Sequence, residues 1–143
     1  MASDGTNIWV VNAASNNVMK LRASDGGVVG TFDVGEFPIG MAFDGTNICV
    51  TNSASKNVMK LRPSDGAVLG TFNVGKVPLT VACDGANIWV ANSESDSVTK
   101  LRASDGGVLG TFSAGTLPLQ VTFDGANIWV TNGRSSSISK LKR

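Results

Sequence analysis

Residues 43–82 read FDGTNICVTNSASKNVMKLRPSDGAVLGTFNVGKVPLTVA, and residues 83–122 read CDGANIWVANSESDSVTKLRASDGGVLGTFSAGTLPLQVT. The two stretches agree at 24 of 40 positions with no insertion or deletion, so they are copies of one unit. The register extends to both ends of the chain. Asp4-Gly5, Asp44-Gly45, Asp84-Gly85 and Asp124-Gly125 stand 40 residues apart. So do Asn12, Asn52, Asn92 and Asn132, and Lys20-Leu21, Lys60-Leu61, Lys100-Leu101 and Lys140-Leu141.

Within a unit the apolar residues fall in short runs separated by Gly, Asp, Asn, Ser and Pro, with β-branched residues prominent and no sustained 3.6-residue period. This pattern predicts four strands: A over Pro38 to Phe43, B over Asn47 to Asn52, C over Asn57 to Arg62 and D over Ala67 to Val74. Asp44-Gly45 marks the A–B hairpin and Ser64-Asp65-Gly66 the C–D turn, each with Gly where positive φ is needed. Pro38 at the head of strand A loses its N–H where no ladder is broken. Strand B reads as almost continuously apolar, as in Ile88-Trp89-Val90-Ala91, so it is expected to be covered on both faces. A four-stranded antiparallel unit of about 40 residues, WD40-like in size, is a β-propeller blade. The expected fold is all-β: one repeat domain, 1–143, with a partial blade at 1–35, full blades at 36–75 and 76–115, and a partial blade at 116–143.

Composition removes several classes of function. Twelve basic and eleven acidic side chains leave a net charge of +1, with no basic stripe for nucleic acid or an anionic membrane. No apolar run approaches the roughly 20 residues of a membrane span. The opening MASDGTNIWV lacks the basic and apolar regions of a secretory signal, which makes a cytoplasmic location the default expectation. Histidine and tyrosine are absent, which excludes histidine-based acid–base catalysis and the Ser-His-Asp triad.

The strand-B segments Trp9-Val10-Val11-Asn12, Cys49-Val50-Thr51-Asn52, Trp89-Val90-Ala91-Asn92 and Trp129-Val130-Thr131-Asn132 resemble the YVTN signature of the YVTN family of propeller repeats. The likeness runs through the rest of the unit and over essentially the whole chain. The streptogramin B lyases have similar blades. Their chemistry, as that resemblance implies it, relies on histidine and an acid near the channel, and no position here supplies the histidine. The repeats themselves serve many roles.

Strand arithmetic predicts an incomplete ring. Read as starting at strand B (Asn7 to Asn12) and ending at strand C (Ile138 to Lys142), the chain supplies fourteen strands: three A, four B, four C and three D. An open arc leaves two apolar blade faces wet, so the expected partner is the chain itself, with a two-fold dimer favoured. Such a dimer makes six complete blades with two spare B–C hairpins, or eight blades of which four lack one strand.

The recurring residues have local explanations. Asp4, Asp25, Asp44, Asp65, Asp84, Asp105 and Asp124 each adjoin Gly, where a carboxylate caps turn N–H groups, and no D-x-D-x-D calcium spacing appears. No cofactor and no metal ligand set is expected. Lys20, Lys60, Lys100 and Lys140 are expected to lay their stems on a blade face with their heads toward turn aspartates. Trp9, Trp89 and Trp129 read as packing anchors. Cys49 replaces the Trp of strand B and Cys83 the Phe that ends strand A, and both read as core drift. Variation concentrates on the face carrying the D–A and B–C loops, a surface pattern that drift alone also produces. There Glu36, Lys76 and Thr116 alternate, as do Gly40, Thr80 and Gln120 on strand A, with Glu94 and Arg134 in the B–C loop. That rim is the expected site for a glycan, peptide or protein ligand. The functional expectation is a non-enzymatic, self-assembling binding or scaffold module; a structural or cell-surface repeat element and a lyase-like enzyme are the alternatives.

Overall fold

A computed structural model describes residues 1–143. The first sheet holds β1 (Ala2–Ser3), β2 (Asn7–Asn12), β3 (Asn17–Arg22) and β4 (Val28–Asp33), with a 3₁₀ turn over Ala13–Ser15. The second holds β5 (Pro38–Phe43), β6 (Ile48–Asn52), β7 (Asn57–Leu61) and β8 (Val68–Asn73). The third holds β9 (Pro78–Cys83), β10 (Asn87–Asn92), β11 (Ser97–Arg102) and β12 (Val108–Ser113). The fourth has three strands: β13 (Pro118–Phe123), β14 (Asn127–Asn132) and β15 (Ser137–Lys142). Within every sheet neighbours in sequence pair antiparallel, so each is a meander with the predicted A-B-C-D order. The predicted boundaries of the first full blade hold to within a residue or two.

The strand count is corrected from fourteen to fifteen. Met1-Ala2-Ser3 aligns with Met41-Ala42-Phe43 one repeat later, and two residues suffice to pair as Ala2↔Trp9 and Ser3↔Ile8. The first sheet therefore carries a shortened strand A, and only the last lacks a strand, its D.

Side-chain alternation gives each blade two different apolar faces. The forward face of the first blade presents Trp9 and Val18, with Val11, Phe32 and Val34. It packs against Ile48, Val50 and Leu61, with Met41 and Phe43, on the rear face of the second. The same junction recurs twice. Cys49 and Val58 meet Ile88, Val90 and Leu101; Trp89, Ala91 and Val98 meet Ile128, Val130 and Val121. The core of the molecule is these three seams, one between each pair of blades, which is why strand B is apolar on both sides.

Polar contacts close each seam at its edge. Lys20 Nζ donates to the Pro63 carbonyl in the C–D turn of the next blade at 2.6 Å, and Lys60 Nζ donates to the equivalent Ala103 carbonyl. Two of the four lysine heads, those of Lys20 and Lys60, thus go to backbone carbonyls across the seam; only Lys60 pairs with a turn aspartate, Asp44, at 3.3 Å. Lys20, Lys100 and Lys140 also lie over the Trp of their own blade, 4.9–5.4 Å from the ring centroids.

Gly66 and Gly106 sit in the C–D turns at φ +73°, each against the strand-D phenylalanine of the preceding blade, Phe32 and Phe72. A Cβ there would collide with the ring, whereas one at Gly26 (φ +72°), on the uncovered side of the first blade, would meet nothing. Gly26→Ala is expected to cost about 1–2 kcal/mol from backbone conformation alone. Gly106→Ala should cost a further ~1–3 kcal/mol from overpacking. Urea unfolding of the two variants distinguishes these cases, and equal losses would show that the ring contact contributes nothing.

Candidate functional site

Asp4 Oδ1 accepts from the N–H groups of Thr6 and Asn7, and its Oδ2 accepts from Trp9 Nε1 at 2.8 Å. Asp84 repeats this with Ala86, Asn87 and Trp89, and Asp124 with Ala126, Asn127 and Trp129. In the second blade Cys49 replaces the tryptophan, and Asp44 instead meets the buried ammonium of Lys60. The other series, Asp25, Asp65 and Asp105, caps Gly27, Ala67 and Gly107 and pairs with Arg22, Arg62 and Arg102 at 2.6–2.9 Å. No three His, Cys, Asp or Glu side chains converge as a metal would require. These carboxylates belong to the turns.

The rim is built differently. The D–A joint and the B–C loop of each blade are joined by backbone bonds. Ser53 N–H donates to Phe37 O and Ala54 N–H to Glu36 O; Ser93 and Glu94 bond to Val77 and Lys76, and Gly133 and Arg134 to Leu117 and Thr116. Ser55, Ser95 and Ser135 hydroxyls accept from the N–H groups of Glu36, Lys76 and Thr116 at 2.8–3.1 Å. Phe37, Val77 and Leu117 hold φ of 53°, 50° and 58°, a left-handed conformation that a β-branched residue such as Val77 rarely adopts. Strain on the order of 1–3 kcal/mol at each persists only because the surroundings over-determine it. Asn16 and Asp96 side chains of the preceding blade accept from Phe37 and Leu117 N–H, both at 2.9 Å. The backbone of the rim is a braced frame, and the side chains of Glu36, Lys76, Thr116, Glu94 and Arg134 stand exposed on it.

Six of the eight predicted rim residues fall into two groups. Glu94, Thr116 and Arg134 line one hollow of about 330 Å³ between the third and fourth blades, with Asp96 at its edge. Gly40, Thr80 and Gln120 lie lower, on the innermost strands, and line a cavity of about 730 Å³ with Ile39, Met41 and Thr131. Glu36 and Lys76 line neither.

Two of the inner trio, Gly40 and Thr80, have a packing role that the sequence did not disclose. Strands β5, β9 and β13 lie side by side around the channel. At Gly40 a Cβ would strike the Leu79 carbonyl, and the Thr51 hydroxyl fills the space, donating to Leu79 O at 3.0 Å and accepting from Gly40 N–H at 2.8 Å. In the next blade the hydroxyl has moved: Ala91 replaces Thr51, and Thr80 replaces Gly40 and donates to Leu119 O at 3.2 Å. Its oxygen also accepts from Val121 N–H at 3.1 Å. Gly40 and Thr80 are thus two solutions to one bridge between neighbouring strands. Gln120 and Thr131 have no following blade to bridge and are exposed.

Residues missed in the sequence sit on the outer side of the fourth blade. Trp129 is 36% exposed and Ile138 67%, although Trp9 and Trp89, the copies of Trp129, are wholly buried. Trp129 and Ile138 belong to the cavity that holds Gln120. In the described arc the forward face of the fourth blade is the one forward face that no further blade covers.

The carboxyls of the A–B turns respond to acid. Burial pushes Asp4 up, but the bonds from Trp9, Thr6 and Asn7 outweigh it and bring it down to about 2. Asp84 is likewise raised by burial and brought down to about 2 by Asn87, Trp89 and Ala86. Trp129 and the N–H groups of Asn127 and Ala126 hold Asp124 further below the usual carboxylate range. Since the folded values lie below the ordinary 3.8, their stabilisation is complete above about pH 4 and is lost as pH falls toward 2. Trp89→Phe removes one donor to Asp84, so that variant is expected to lose less stability than the parent over this interval. Urea midpoints measured from pH 5 to 2 check this, and an unchanged slope would dissociate Trp89 from the acid response.

No protein-family model matches the chain, and no curated protein does. Solved structures do. The hydrazine synthase of Kuenenia stuttgartiensis superposes with a TM-score of 0.89 at 19% identity, over 99% of this chain and 44% of that one. A streptogramin B lyase gives 0.76 at 14% identity, over 96% of this chain and 51% of that one. A dihydro-heme d1 dehydrogenase gives 0.72 at 17% identity, over 99% of this chain and 36% of that one. The chain spans about half the length of these structures or less. No helix in the chain is long and apolar enough to cross a membrane. With four antiparallel meanders packed face to face and propeller proteins as its structural neighbours, the chain has the β-propeller fold, present as an open arc of blades.

Proposed function

We propose that the chain is a non-enzymatic binding or scaffold module whose arc is completed by a second copy of itself. The observation that carries this reading is the bare forward face of the fourth blade, with Trp129 and Ile138 in water where every internal copy of that face is covered. The uncovered rear face of the first blade holds Ile8, Val10 and Leu21, the counterparts of the residues that receive Trp9 and Trp89 at internal seams. Lys140 occupies the position from which Lys20 and Lys60 reach the next C–D turn, so it is placed to reach Ala23 of a second copy. With four A, four B, four C and three D strands per chain, a two-fold pair makes eight blades of which two lack strand D. This revises the earlier arithmetic of four deficient blades.

In this reading a glycan, peptide or protein ligand meets the rim, where Glu94, Thr116 and Arg134 project from a braced backbone, and Gln120 faces the channel. The absence of histidine disfavours a lyase-like reaction, although the neighbours of this fold include enzymes.

Light scattering is expected to return twice the 14.7 kDa of the chain, and Trp129→Lys, which places a charge in the seam, to return the single chain. A folded 14.7 kDa particle from the parent chain would overturn the assembly. On glycan and peptide arrays, binding by the parent chain is expected to weaken at least tenfold in Glu94→Ala/Arg134→Ala, a loss of about 1.4 kcal/mol. Silence on both arrays counts against the rim, and turnover of any arrayed compound counts against the non-enzymatic reading.

A further inference from the structure

The chain has two cysteines, and both stand at one seam. At the first seam Trp9 of the forward face and Phe43 of the next blade belong to one cluster, and at the third Trp89 and Phe123 do. Cys49 and Cys83 occupy those same two places at the second seam. Both cysteines stand where neighbouring copies carry a large aromatic residue, and they lie in one cluster at the junction of blades two and three.

The surroundings separate the two thiols. Cys49 is wholly buried on β6, while Cys83, at the end of β9, is partly exposed. The neighbouring Cys83 thiol, then burial, pushes the Cys49 thiol well above its usual range; Asp44 adds to this and Lys60 opposes it. The partly exposed member therefore meets a reagent first, and the buried member resolves it.

We infer that Cys49 and Cys83 are a disulfide-forming pair that clasps the second blade to the third. With a small disulfide of the oxidised-glutathione class as oxidant, the Cys83 thiolate attacks one sulfur of the reagent. This forms a mixed disulfide and expels one small thiolate. The Cys49 thiolate then attacks Cys83 Sγ, forming the Cys49–Cys83 bond and expelling the second small thiolate. The two protons lost by the cysteines end on the two released small thiols, and the two electrons reduce the reagent's disulfide. The bond covalently closes the segment from residue 49 to residue 83, so it constrains the unfolded chain as well as the seam.

The test treats the folded chain with oxidised glutathione, then denatures it, alkylates it and measures its mass. The expected product is a single chain lighter by two hydrogens that takes up no alkyl group. Trypsin should then yield residues 23–56 joined to residues 77–100 until a reductant separates them. The thermal midpoint of the oxidised chain should lie above that of the reduced chain and return on reduction. Cys83→Ala should give neither the linked peptide nor the shift. Cys49→Trp/Cys83→Phe rebuilds the aromatic seam of its neighbours and should fold with no response to the oxidant. Two alkylatable thiols remaining on the folded parent chain would overturn the inference, as would an adduct that persists at Cys83.

Discussion

Everything in this molecule depends on a blade being apolar on two unlike faces. The forward face carries the large strand-B residue and the strand-C valine; the rear face carries isoleucine, valine and leucine. A sheet of four short strands has no interior of its own, so burial comes only from stacking one blade on the next. That requirement explains an unusual core. It consists of three seams, each bounded on one side by a lysine that reaches a backbone carbonyl of the next blade or spreads over a tryptophan.

The seam is also the unit in which the copies change. When the second blade exchanges Trp for Cys49, Asp44 loses an indole donor and takes the Lys60 ammonium, and the residue across the seam becomes Cys83. When the third blade exchanges Thr51 for Ala91, the hydroxyl reappears across the strand pair as Thr80 and still bridges to the following blade. These are paired adjustments. A lone change at such a place would leave a cavity or an unmet carbonyl in a close-packed junction.

The rim follows another rule. Backbone bonds between the D–A joint and the B–C loop fix every copy alike, down to the left-handed residue before each proline. Side chains on that frame have no packing to satisfy, and charge, size and polarity differ freely among Glu36, Lys76 and Thr116. A stiff backbone with unconstrained side chains suits recognition, because little ordering remains to be done on binding. The A–B turn aspartates of the opposite face are the reverse case: Asp4, Asp84 and Asp124 each accept from two backbone N–H groups and an indole N–H within their own turn.

Strand order, turn positions and the blade itself were legible in the sequence, because each rests on local chemistry: alternation, Asp-Gly hairpins and a period of 40 repeated without a gap. The shortened β1 escaped, since two residues carry no pattern and become a strand only through the partner that pairs with them. Variation among the copies marked the D–A and B–C loops as one region, but the division of that region into an outer hollow and an inner wall was not readable. Whether Thr80 faces a ligand or a neighbouring carbonyl depends on the approach of β13, a segment 40 residues away. The destination of the lysine heads and the meeting of Cys49 with Cys83 were hidden for the same reason. Sequence by itself determined the blade, whose contacts lie within about 40 residues of chain; the seams between blades were decided only by tertiary structure, because they join residues whose adjacency is a property of stacking.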